Sequence, residues 1–115
     1  MYTNLTPHAL VFRTATEGDL VLQPVGTVAR VDTHVTPLRT VGGMLLRAKT
    51  LGQVTGLPDP DGVRVFVVSG MVLEALRNSG CVRTDVVAPA TGPKDGAIRN
   101  EAGHVVAVTE IDGLA

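Results

Sequence analysis

Aromatic residues are nearly absent from this chain: 115 residues include no tryptophan, one tyrosine (Tyr2) and two phenylalanines (Phe12 and Phe66). Proteins that hold single-stranded nucleic acid stack bases on aromatic side chains, and so little aromatic surface argues against that role. A run of positive charge is lacking too. Ten Lys/Arg stand against eleven Asp/Glu, a net charge of −1. The basic residues are scattered along the sequence, whereas a duplex or RNA binder concentrates them on one face, so no nucleic-acid polymer is expected as a partner. A single cysteine, Cys81, cannot close an internal disulfide, which fits a reducing compartment. No apolar run approaches the roughly 20 residues of a membrane-spanning helix. The start, Met1-Tyr2-Thr3-Asn4, has neither a charged n-region nor a following apolar h-region. The expectation is a cytoplasmic protein without a membrane partner.

What the chain does have is aliphatic: 44% of its residues are hydrophobic, supplied by Val, Leu and Ala. That excludes disorder and, at this length, specifies one domain over residues 1–115 with a core that needs no staple. Alternation with period two outweighs helical periodicity. Strands are expected over Ala9–Arg13, Asp19–Gln23, Thr27–Thr33, Leu45–Thr50, Val63–Val68, Arg83–Ala88, Ala97–Asn100 and His104–Ile111. The run at Val63–Val68 is the most apolar and is expected to be central. Val41-Gly42-Gly43-Met44 and Asn100-Glu101-Ala102-Gly103 read as hairpin turns. One helix is expected over residues 69–77, where Ser69 supplies an N-cap, Val72, Leu73 and Leu76 an apolar face, and Asn78-Ser79-Gly80 the stop. The fold class is therefore mainly β, a small antiparallel barrel-like or strongly curved sheet with one short helix.

The segments Asn4-Leu5-Thr6-Pro7-His8, Gly56-Leu57-Pro58, Val68-Ser69, Asp85-Val86-Val87-Ala88-Pro89 and Ile98-Arg99-Asn100-Glu101-Ala102-Gly103 resemble a family of small proteins carried by bacteriophages and prophages, usually described as hypothetical. The resemblance spans nearly the whole chain, and Asn100 departs from the family pattern, which often has an Asp there. It implies a phage origin and an infected bacterial cytoplasm as the setting. By analogy it also implies action against host defence, including "sponge" proteins that sequester cyclic-nucleotide signals.

Candidate site residues gather where the Pro/Gly loop after Pro89 meets its flanking strands, because loops fixed at both ends commonly carry binding groups. Arg99 and Lys94 are expected to meet an anion, one through a planar fork and the other as a point charge. Thr91, Asp85 and Asn100 are their neighbours, and Asp85 with Arg99 is the alternative inter-strand pair. Ser69 and Gly70, at the helix start, offer free N–H groups to a phosphate or simply cap the helix. His8 follows Thr6-Pro7 and reads first as part of a structural hydrogen-bond network, second as a ligand contact. His8, His34 and His104 lack ligand spacing, so no metal is expected. No phosphate-loop or dinucleotide motif is present, so no cofactor is expected. The expected function is non-enzymatic sequestration of a small anionic, nucleotide-like host signal by a homo-oligomer. Its pocket would lie between subunits paired through strands such as Thr27–Thr33. A phage structural or morphogenesis protein and a small nucleotide hydrolase are the alternatives.

Overall fold

Val65-Phe66-Val67-Val68 is the apolar centre of the molecule. In the computed structural model, which describes residues 1–114, Phe66, Val67 and Val68 are wholly enclosed. The described residues form ten strands and one helix: β1 (Tyr2–Asn4), β2 (Leu10–Arg13), β3 (Asp19–Leu22), β4 (Arg30–Val41), β5 (Met44–Thr55), β6 (Val65–Val67), α1 (Gly70–Asn78), β7 (Val86–Pro89), β8 (Ile98–Arg99), β9 (Val105–Ala107) and β10 (Ile111–Gly113). A mainly-β fold with one helix is what the periodicity predicted.

The main sheet runs β1-β6-β7-β10. Its neighbours β1, β6 and β7 are parallel, and only β10 is antiparallel, to β7. Barrel closure and a purely antiparallel main sheet are thereby corrected, while β2–β3, β4–β5 and β8–β9 pair antiparallel as expected. The described strands form four separate sheets, none closed on itself. The reason lies in the helix. A strand–helix–strand unit returns the chain to the same end of the sheet, so β6–α1–β7 must pair in parallel. Alternation then sorts side chains to two covered faces. Phe66, Val68, Val86 and Ala88 pack with Val72, Leu73 and Leu76 of α1 and with Leu5 and Ala29. Val67 packs on the opposite side with Phe12 and Val108. Both faces are dry, which is why the run reads as continuously apolar.

Helix α1 begins and ends as its sequence directs. Ser69 is extended (φ −69°, ψ 160°) and its side chain accepts the N–H of Val72. Gly80 takes a positive φ just beyond the end, and the N–H of Cys81 closes on Leu76 O at 3.0 Å.

A buried polar knot fastens the amino-terminal strand. Asn4 Nδ2 donates to His8 O (2.8 Å) and Leu22 O (2.9 Å), while Asn4 Oδ1 accepts from Thr6 N (2.9 Å) and Thr6 Oγ1 (2.6 Å). All four hydrogen-bonding capacities of a side chain that is 1% exposed are thereby used.

β4 and β5 behave differently. They pair antiparallel over twelve residues each, from Arg30↔Thr55 to Val41↔Met44. Gly42 and Gly43, at φ 56° and 82°, make the two-residue turn at the tip. At the base, Val31 and Val54 pack on the α1 side of the core. Beyond them almost every residue is exposed on both faces. The ribbon is an arm, and it makes the molecule 53 × 39 × 26 Å with a radius of gyration of 16.5 Å. A compact chain of this length would have about 13 Å. The expected strand Thr27–Thr33 is corrected accordingly: pairing starts at Arg30 and runs through Pro37 to Val41. Pro37 is tolerated because the ribbon has no inner strand and the register shifts beside it, at Leu38.

Candidate functional site

The Pro/Gly loop is built as a self-contained lock. Ala90 N donates to Glu110 O, so the loop leaves the sheet opposite the approach to β10. Asp95 Oδ2 accepts the N–H of Gly92 at 2.7 Å, and Asp95 N donates to Gly92 O at 3.1 Å, closing the turn on itself. Arg99 donates from Nη1 to Gly103 O (2.9 Å) and from Nη2 to Thr91 O (2.7 Å). Its fork therefore ties the β8–β9 hairpin to the loop rather than pairing with a carboxylate. Asn100 completes that hairpin: its N–H donates to His104 O, its carbonyl accepts from Gly103 N, and its Oδ1 accepts from His104 N. Lys94 is exposed and makes no hydrogen bond or ion pair with the described residues. Of the expected anion cluster, the structure joins Arg99 to Thr91 through a backbone carbonyl.

Asp85 is not part of this lock. Arg83, two residues earlier in the bend that leads into β7, holds it bidentately (2.9 and 2.8 Å). The alternative Asp85–Arg99 pair is thus corrected. The hydrogen bonds from Arg83 hold the Asp85 carboxyl below its usual range, and Asp85 in turn raises the guanidinium. Arg64 and Arg83 lie 4.9 and 5.9 Å from the Phe66 ring centre, so this charge network covers the main core. Asp61 beside it is held well below the carboxylate range, chiefly by the N–H of Arg64 and then by the Arg64 side chain.

Ser69 opens onto a different place, while Gly70, the first residue of α1, does not line it. The amino end of α1 borders a groove of about 280 Å³, also lined by Thr6, Pro7, Arg30, Val31 and Met71. Its wall is mostly aliphatic, and Arg30 is its cation. Ser69 Oγ accepts the Val72 N–H at 3.3 Å, the capping role. His8 reaches the polar knot through its carbonyl, which accepts from Asn4 and Thr6. Its ring is exposed. Among the described residues no three His, Cys, Asp or Glu side chains are placed to hold a metal, and no helix is long and apolar enough to cross a membrane.

The feature that sequence reasoning missed is the arm. Between Thr33 and Thr55 stand Arg39, Arg47 and Lys49 and no carboxylate. The rest of the chain carries seven basic residues against eleven acidic ones. Basic residues that look scattered in sequence are thus partly gathered by the fold. Register places Arg47 and Lys49 on one face of the ribbon, opposite Pro37 and Val35, and pairs Arg39 with Leu46. None of the three forms an ion pair with the described residues. Val35, Leu38, Val41, Met44, Leu45 and Leu46 are exposed beside them, Met44 by 75%. The signal was present in the sequence as a stretch of 23 residues without an acid.

No protein-family model, curated protein or solved structure matches this chain.

Proposed function

We propose that this chain is a non-enzymatic docking subunit whose working part is the β4–β5 arm, and that it serves as a phage structural or morphogenesis protein. One observation carries the reading: a twelve-residue ribbon leaves the core with both faces bare. A two-stranded hairpin is marginal in water by itself, and the six exposed aliphatic residues along it contribute nothing to the core. A surface that folding does not use is retained for contact. Amide exchange tests this directly. In dilute chain, amides of Thr33–Leu51 should exchange at least about a hundredfold faster than those of β6, and slow once a partner covers them. An arm as protected as β6 in the dilute monomer would rule out a docking role.

A second reading, sequestration of an anionic, nucleotide-like signal in the infected cell, is favoured by the groove at the amino end of α1. There the first turn of α1, through Ser69, Met71 and Val72, and Arg30 border one opening. Thermal melts with cyclic and linear nucleotides test it. A ligand at a hundred times its dissociation constant adds about 2.7 kcal/mol of stability, and unchanged melting temperatures would dismiss it.

A further inference from the structure

We infer that the arm's partner is a second copy of this chain, and that the arm docks on the Tyr2 end of that copy's body. This rests on the docking reading above and names its partner. Charge selects between occupants. From Thr33 outward the arm is cationic without a single acid, and the rest of the chain has four more acidic than basic residues. An arm laid against another arm would face like charge, whereas an arm laid on a body meets opposite charge. A nucleic-acid partner fits less well, because six large aliphatic side chains outnumber the three cations and no aromatic residue lies between Thr33 and Thr55.

The acceptor end is set by grooves that meet at Tyr2. One, of about 530 Å³, runs along Met1, Glu17, Asp19 and β3. The other, of about 110 Å³, is bordered by Phe12, Thr14, Glu110 and Ile111. The β2–β3 turn brings Glu17 to this end, since its N–H donates to Thr14 Oγ1 at 2.8 Å. Glu17 and Glu110 form no ion pair among the described residues, whereas Asp19 is already held by Arg13 at 2.9 Å. Met1, Val21 and Ile111 are exposed between these carboxylates. Aliphatic surface edged with acid therefore answers aliphatic surface edged with base. In addition, β10 is hydrogen-bonded to β7 alone among the described strands, leaving an edge to which the ribbon can add.

Area decides how copies associate. From Thr33 to Val41 the ribbon rises about 30 Å, and one face about 10 Å wide offers roughly 300 Å² in outline. A stable interface covers about 800 Å² per partner. A copy that both gives an arm and receives one doubles its contact, and a groove that takes the ribbon's edges adds the remainder. Exchange of arms, not a single contact, is the arrangement the dimensions favour.

Reciprocal charge reversal tests this by sedimentation equilibrium on the full chain, with circular dichroism to confirm that each variant is folded. Arg47→Glu with Lys49→Glu should weaken self-association by about tenfold or more. Glu17→Lys with Glu110→Lys should do the same. An equimolar mixture of these two variants should associate within about threefold of the native affinity. Restoration is the decisive result, since misfolded variants cannot produce it. If the arm variant dissociates the protein but the body variant does not, the acceptor surface is wrong. If the native chain is monomeric at high micromolar concentration, the second-copy inference is overturned. The docking reading then survives only if the native chain, and not Arg47→Glu/Lys49→Glu, binds a short DNA duplex or phosphatidylglycerol vesicles. If the arm variant changes no association of any kind, that reading falls as well.

Discussion

β6 and β5 are both strands, yet they are built to opposite specifications. β6 needs three residues, and its Phe66 and Val67 are sealed between α1 on one side and the β2–β3 layer on the other. β5 has twelve, and past its base it seals nothing. Strand length in the body is limited by the core it serves. Strand length in the arm has no such limit, so its cause must be sought outside the monomer. The contrast also separates two uses of charge. Four of the body's arginines are tied to carboxylates: Arg13 to Asp19, Arg64 to Asp61, Arg77 to Glu74 and Arg83 to Asp85. The arm's cations have no internal partner among the described residues.

The largest expected effect breaks the body. Phe66→Ala removes the central side chain of the main core and should destabilise the chain by about 3–5 kcal/mol in urea unfolding. A loss below about 1 kcal/mol would mean that the core is not centred on β6. Next comes the polar knot. Asn4→Ala strips donors from the carbonyls of His8 and Leu22 and an acceptor from Thr6, which should cost about 2–3 kcal/mol. Asn4→Asp should be no milder, because a carboxylate cannot donate to two carbonyls.

A smaller effect tests how body charges are used. Hydrogen bonds from Arg83 hold Asp85 below its usual range. A carboxyl lowered in the folded state stabilises fully above its unfolded pKa, near 4, and loses that contribution as pH falls through the folded value. Asp85→Asn should cost at most about 1 kcal/mol at neutral pH, and should flatten the loss of stability below about pH 4. Equal acid sensitivity in native and variant would detach this pair from the fold.

How much of this was legible depends on range. The cap at Ser69, the stop at Gly80 and the Gly42–Gly43 turn are decided by neighbours in sequence, and all stand where the sequence places them. β1 was invisible because three residues, Tyr2–Asn4, are too few to show a period. The parallel order of β1, β6 and β7 is a tertiary fact that alternation cannot encode. Half of the arm was hidden by Pro37, which reads as a breaker unless the strand is known to be an edge. At the candidate site, Arg99 looked like a ligand-binding fork because the carbonyls it satisfies, at Thr91 and Gly103, become neighbours only through loop closure. Arg83, two residues from Asp85, was the nearer partner all along.

Arg99 makes a sharper test for that reason. Its two bonds are exposed, so Arg99→Ala should cost only about 0.5–1 kcal/mol. Arg99→Lys should recover little, since one ammonium does not span the two carbonyls that a planar fork reaches. If nucleotides raise the melting temperature of the native chain but not of Arg99→Ala, the loop binds anions after all and the lock is secondary.

The smallest expected effect on stability is the one that defines the arm. Met44 and Leu46 share a face of the ribbon with Val41 and Ala48 by register, far from either core cluster. Their replacement by serine removes no buried contact, so urea unfolding should shift by less than about 0.5 kcal/mol. If the face is covered in an assembly, the same two changes expose polar groups to an aliphatic partner, and association should weaken by well over tenfold. Stability and association would then be separable within one pair of residues, which the Phe66→Ala variant cannot achieve because it lowers both. A large loss of monomer stability from the serine pair would show the opposite: that the arm folds back on the body in solution and that its length serves the fold.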